Sequence, residues 1–186
     1  MKASERTMLI EHIMDPTMPN NLGVAVDTAD VMYDVRKQIL GAGASALVDQ
    51  VIMSDPTGKL LCVEDSLTSD PMARYTGLSF RNEDWPDDHM VAIEAQSGQA
   101  ASFIIGVFTG RRPLDERLGG TLKAFHAGTG NELWPWYYSV AAPYDRWTSK
   151  TALFGFRSGD AVTELASQLT AVVAILDRYS SSIATA

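Results

Sequence analysis

Alternation between Arg74 and Thr109 is the strongest constraint on what this chain folds into. In the run RYTGLSF, Thr76, Leu78 and Phe80 fall on one side of an extended chain and Tyr75, Gly77 and Ser79 on the other. A period of two marks a strand with one buried face. Residues 82–88 break the pattern with Asn82, Pro86 and four acids, which predicts a loop. From Met90 to Gln96 the alternation resumes, with Val91, Ile93 and Ala95 inward and Glu94 and Gln96 outward. Ser97-Gly98 is a turn signal. Phe103 to Phe108 is apolar on both faces, which places it inside the sheet rather than at its edge. Connections this short imply an antiparallel meander.

Further strands are expected on either side. Lys59 to Glu64 reads as the first, with Leu61 and Val63 sharing a face. Leu133 to Tyr138, LWPWYY, reads as an edge or irregular strand, because Pro135 has no N–H for a central ladder. Ala152 to Phe156 reads as a short last strand. The expected fold class is therefore α+β: an antiparallel sheet of about five to six strands with helices on one face and a long C-terminal helix.

The helices follow from spacing. Residues 1–26, with Pro16, Pro19, Asn20, Asn21 and Gly23, are expected to form an N-terminal arm, a short helix or extended piece and then a loop. Residues 27–186 are expected to form a single domain. Asp27 or Thr28 can cap a helix carrying Val31, Met32, Val35 and Ile39. Gly41 and Gly43 are expected to bend or end it before the stripe continues through Leu47, Val48, Val51 and Ile52 to Met53. Pro113 and the spacing of Leu114, Leu118, Leu122 and Phe125 predict another helix. After Ser158-Gly159-Asp160, the positions Val162, Leu165, Leu169, Val172, Leu176, Tyr179 and Ile183 form a narrow seam. That seam suits a helix lying across the sheet; a homodimer seam is the other reading.

Composition limits function. The 186 residues suffice for a real core. Fifteen Lys and Arg against 23 Asp and Glu leave a net charge of −8, which opposes non-specific binding to phosphate backbones. Arg111, Arg112, Arg117 and Lys123 are the basic concentration, diluted by Asp115 and Glu116, and read as a solvated helix face. Cys62 is the only cysteine, so no disulfide forms within the chain and a reducing cytoplasm is expected. On its apolar strand Cys62 reads as a buried, inert thiol. No apolar run is long enough to span a bilayer, and no secretory signal is expected at the N-terminus.

Chemistry-bearing patterns are sparse. His12, His89 and His126 share no ligand spacing with Cys62, so no metal site is expected. Phosphate loops, dinucleotide fingerprints and nucleophile elbows are absent, and no cofactor is expected. Asp87, Asp88 and Glu94 imitate the proline–aspartate, acid-x-lysine set of a metal-dependent nuclease, but Gln96 stands where the lysine is needed. A divergent metal-dependent nuclease or hydrolase built on these acids is the enzymatic alternative. The aromatic cluster of Trp134, Trp136, Tyr137, Tyr138, Tyr144 and Trp147 either caps a core or forms a recognition surface. Alternation divides it between two faces, so Trp134, Trp136, Tyr137 and Trp147 are the candidate binding residues.

The order of features from Lys59 to Ile183 carries a resemblance. Tyr75-Thr-Gly-Leu-Ser-Phe, Asp84-Trp85-Pro86, Val91-Ala-Ile-Glu94-Ala-Gln96 and Ile105-Gly106-Val107 precede Trp134-Pro-Trp136-Tyr137, Trp147, a short strand and a terminal helix. This resembles the domain C-terminal to the catalytic core in some bacterial PD-(D/E)XK nuclease superfamily proteins. The resemblance implies an accessory recognition or regulatory module in a bacterial or phage conflict system, with no catalytic residue of its own. The expected function is non-enzymatic binding of a protein partner, with nucleic acid as the second partner class and an acidic inhibitor of a basic site as a further alternative.

Overall fold

The structure, a computed structural model, describes residues 3–18, 20–86 and 88–184. Its elements in chain order are α1 (Ala3–Ile13), α2 (Asn20–Met53), β1 (Leu60–Asp65), α3 (Ser66–Ser69), β2 (Gly77–Asn82), β3 (Met90–Ser97), β4 (Ala101–Phe108), α4 (Glu116–Phe125), β5 (Trp136–Ser139), α5 (Lys150–Ser158) and α6 (Asp160–Ala184). The chain divides into two units at Gln38/Ile39, so the first half of α2 belongs to one and the second half to the other.

The sheet of the larger unit is the expected antiparallel meander, in the order β1-β2-β3-β4-β5. Its register follows the alternation: Leu78 faces Ile93 and Phe80 faces Val91, then Val91 faces Val107 and Ile93 faces Ile105. All six of these side chains are fully buried on one face of the sheet. A bulge between Cys62 and Glu64 shifts the β1–β2 register. The tight β3–β4 turn holds Gln99 and Ala100 at φ of 63° and 48°. Such left-handed conformations cost about 1 kcal/mol or more for a side-chain-bearing residue. They are fixed by bonds from Gln99 N to Met72 O (2.7 Å) and from Trp147 N to Ala100 O (2.8 Å).

The helices supply the other half of the core. Leu40, Leu47 and Val51 of α2, Leu67 of α3, Leu118 and Leu122 of α4, and Phe156 of α5 join the same cluster. The seam of α6 lies in the core, with Leu165, Leu169, Val172 and Leu176 buried, and the helix packs against α4, α5, β3 and β4. This is the across-the-sheet arrangement; of the seam residues only Ile183 at its end is exposed. The helix is tied to the β2–β3 connection by Asp177, whose Oδ1 accepts from Trp85 Nε1 (2.7 Å) and Asn82 Nδ2 (3.3 Å).

Three local expectations are corrected. Residues 152–156 form part of α5, not a strand: Ser149 caps the helix by accepting from Ala152 N, and Gly159 ends it at φ 90°. The N-terminal arm is helical on both sides of a turn at residues 14–18. Asp15 Oδ1 accepts from Thr17 N and Oγ1, and Asn21 Nδ2 donates back to His12 O (3.1 Å). Helix α2 thus starts at Asn20, and Thr28 lies inside it, its hydroxyl donating to Val24 O. Helix α2 also runs unbroken through Gly41 and Gly43. A Cβ on Gly43 would lie 2.4 Å from the Phe156 ring, and one on Gly41 would lie 2.9 Å from Thr68 O. These glycines admit close neighbours rather than ending the helix. Among the described residues no single helix is long and apolar enough to cross a membrane.

Truncating the α6 seam tests this packing. Leu169→Ala and Leu176→Ala should each lower the free energy of unfolding by about 2–5 kcal/mol, read from denaturant melts. A loss below about 1 kcal/mol at both positions would mean that the seam is not core.

Candidate functional site

Helices bury one face of the sheet; its opposite face carries a second, separate apolar cluster. Ala92, Ile104 and Trp134 form it, with Phe108 and Tyr137 packed against them, and no residue of a described helix belongs to it. The register explains its shape. Ser79 pairs with Ala92, Ala92 with Gly106 and Gly106 with Tyr137, so a row of small residues crosses the sheet and ends at an aromatic ring. Gly77 and Glu94 pair in the next row. The glycines are required by close approach: a Cβ on Gly106 would lie 2.5 Å from Trp136 O and from Tyr137 Cβ, and one on Gly77 would lie 2.7 Å from Ile93 O. Gly77, Ser79, Ala92 and Gly106 thus form a floor of small, buried residues on this face.

Polar groups stand around that floor. Glu64 receives the hydroxyls of Ser79 (3.3 Å) and Ser66 (3.3 Å). Gln96 Nε2 donates to Glu94 Oε1 at 2.7 Å. Burial pushes the Glu94 carboxyl above the usual range; the bond from Gln96 opposes this and the charge of Glu64 adds to it. Beside the floor, β1 is an outer strand, and Leu61 and Val63 on it are 61% and 51% exposed. Cys62 between them packs toward the core, where burial raises its thiol pKa and keeps it unreactive.

The four aromatic candidates separate. Trp134 and Tyr137 lie on the helix-free face; Tyr137 is half-buried, while Trp134 is 8% exposed and meets Phe108 edge-on at 5.7 Å. Trp136 and Trp147 are in the main core instead. Trp136 is 1% exposed and donates Nε1 to His126 O; Trp147 is fully buried and stacks on Phe103 at 4.1 Å. Buried to this extent, neither ring offers a surface to a partner, and both are corrected to core residues. The split along Trp136, Tyr137 and Tyr138 is the one that alternation predicts, and β5, which begins just after Pro135, is an edge strand. The small floor and Glu64 escaped sequence reading. Their signal was the succession of small residues at outward positions of β2, β3 and β4.

Of the acidic set, Asp88 and Glu94 are not brought together. Asp87 lies outside the described residues. Asp88 contacts His89 Nδ1 (3.1 Å) and Arg112 Nε (3.0 Å), whereas Glu94 bonds Gln96. Strand rise carries Glu94 about 13 Å past Met90, away from Asp88. Among the described residues no group of three His, Cys, Asp or Glu is placed to hold a metal ion. His126 stacks on Tyr138 at 4.1 Å, while His89 is buried beside Asp88. A separate groove of about 950 Å³ does bring Arg111, Arg112 and Lys123 together, but Asp115, Glu116 and Glu132 line it too. Three bases against three acids leave no net field for an anion.

The raised Glu94 carboxyl gives a pH test. A carboxyl that holds its proton more tightly when folded contributes stability below the unfolded value, and that contribution is lost as pH rises through the folded value. Glu94→Gln keeps the acceptor for Gln96 but cannot ionise. The variant should therefore melt higher than the parent at pH 7, and the gap should close as pH falls toward about 4, the unfolded value for Glu. A gap that widened on acidification would contradict the burial of this carboxyl.

Compared with known proteins, the chain matches no family model, no curated protein and no solved structure.

Proposed function

We propose that this chain is a non-enzymatic binding module that docks a protein partner on the helix-free face of its sheet. The observation that carries the reading is the second apolar cluster, Ala92, Ile104, Trp134, Phe108 and Tyr137, to which no residue of a described helix belongs. The partly exposed rings of Phe108 and Tyr137, with Glu64 and Glu94 nearby, offer a partner apolar and polar anchoring points. The outer strand β1, with Leu61 and Val63 exposed, is the kind of sheet edge to which a partner strand adds. The net charge of −8 favours protein over nucleic acid as the partner class. A role in a bacterial or phage nuclease or defence context, within the cytoplasm, belongs to the same proposal and rests on the resemblance of residues 59–183.

Affinity capture from the native host, quantified by mass spectrometry, tests it. Tyr137→Ala and Ala92→Arg alter the face without entering the main core, and thermal melts check that each folds. Loss of a central interface contact of about 2 kcal/mol corresponds to roughly thirtyfold weaker binding. Partners retained by the parent should fall by about that factor in at least one folded variant. Equal recovery by both folded variants would remove the sheet face as the docking surface. Calorimetric titration with magnesium, manganese and zinc should stay flat; binding abolished by Asp88→Ala or Glu94→Ala would instead favour the hydrolase reading.

A further inference from the structure

We infer that the groove between the two helices of the N-terminal unit binds a long-chain fatty acid, with the carboxylate on Arg36 and the acyl chain along α2. The lining residues run from Leu9 to Arg36 and so belong to this unit alone, and the inference is independent of the sheet-face reading. The groove measures about 590 Å³, inside the range of about 300–1,000 Å³ for small-molecule sites.

Helical spacing builds it. Asn21, Val24, Ala25, Thr28, Ala29, Met32 and Arg36 recur every three or four residues and share one side of α2. Asp27, Asp30 and Asp34 fall on the opposite side, at about 100° of turn per residue. Leu9, His12 and Ile13 of α1 form the other wall. From Asn21 to Arg36 the stripe runs about 22 Å at about 1.5 Å per residue, the extended length of an acyl chain of about sixteen carbons. Ala25 and Ala29, being small, leave room for that chain in the middle.

The polar groups of the groove select the ligand. Ten residues line it, and six of them are apolar: Leu9, Ile13, Val24, Ala25, Ala29 and Met32. Three of the four polar ones are answered within the unit. Asn21 Nδ2 donates to His12 O (3.1 Å) and meets His12 Nε2 at 3.3 Å, and the Thr28 hydroxyl donates to Val24 O (2.7 Å). Arg36 is the exception, because its Nε is buried and has no acceptor. A buried donor on a charged group is costly to leave unmet. The planar fork of a guanidinium matches a carboxylate, and the apolar walls match a hydrocarbon chain. One anionic head on a long apolar tail answers both. A neutral lipid leaves the charge of Arg36 unmet, and a cationic amphiphile meets like charge there.

Palmitate labelled with carbon-13 at its carboxyl carbon, titrated into the full chain and followed by NMR, tests the site. The expected result is saturable one-to-one binding with a Kd of about micromolar order and a shifted carboxyl resonance. Arg36→Gln should weaken it at least about tenfold. Lys123→Gln removes the same charge from the larger unit and should leave the affinity unchanged. Ala29→Trp should fill the groove and abolish binding, with circular dichroism confirming that α2 is retained. Glutamine is a good helix former, so Arg36→Gln keeps the test valid where Ala29→Trp disturbs the helix. Hexadecyltrimethylammonium should bind at least about tenfold more weakly than palmitate. Absence of saturable binding up to about 200 µM overturns the proposal. So does palmitate binding that Arg36→Gln leaves unchanged, or equal binding of the cationic amphiphile. A dimer in sedimentation velocity whose formation excludes palmitate gives the groove to a second copy and overturns it. Co-sedimentation with phosphatidylcholine vesicles free of fatty acid gives the groove to a bilayer and overturns it too.

Discussion

Burial of one face of the β1–β5 meander under α6 is the interaction on which the larger unit depends. Leu78, Phe80, Val91, Ile93, Ile105 and Val107 present one continuous apolar surface, and the α6 residues Leu165, Leu169, Val172 and Leu176 cover it. Because strand side chains alternate, committing one set to the core commits the other set to the opposite face. The position of Glu94, Gln96, Ala92 and Tyr137 outside the helical core is thus a consequence of the same register that buries Ile93 and Tyr138. Aspartate 177 secures the arrangement: its oxygen takes both the Trp85 indole and the Asn82 amide, fixing α6 against the β2–β3 connection.

Small residues translate that register into shape. On the helical side, Gly43 lets α2 approach the Phe156 ring; on the open side, Gly77 and Gly106 let neighbouring strands draw close. The same amino acid therefore serves two ends, a close helix–ring contact in one place and a floor of small residues in the other. The floor alone would be featureless. Glutamates 64 and 94, held by Ser79, Ser66 and Gln96, give it polarity, and Tyr137 gives it an apolar wall.

The meander was legible in the sequence because each strand has one buried and one unburied face, and only alternation satisfies both. The terminal helix was legible because its apolar spacing runs unbroken from Val162 to Leu176. Residues 152–156 were not: Ala, Leu, Phe, Gly and Phe fit a short strand, and the decision rests on Ser149 and Gly159 at either end. The glycines of α2 misled for a related reason, since a helix break and a close contact both favour glycine and only the distant Phe156 and Thr68 tell them apart. The aromatic cluster was half legible. Alternation divided it correctly between faces, but the burial of Trp147 depends on Phe103, 44 positions earlier, which no local pattern encodes.

The claim that function lies on the face the helices leave open is tested most directly by hydroxyl-radical footprinting of the chain alone and with a captured partner. Met90, Phe108 and Tyr137 report on the open face, and Met53 and Phe154, exposed on α2 and α5, report on the helical side. Protection of the first group with unchanged labelling of Met53 and Phe154 is the result the one-sided fold predicts. Protection of Met53 and Phe154 with unchanged Met90, Phe108 and Tyr137 would contradict it.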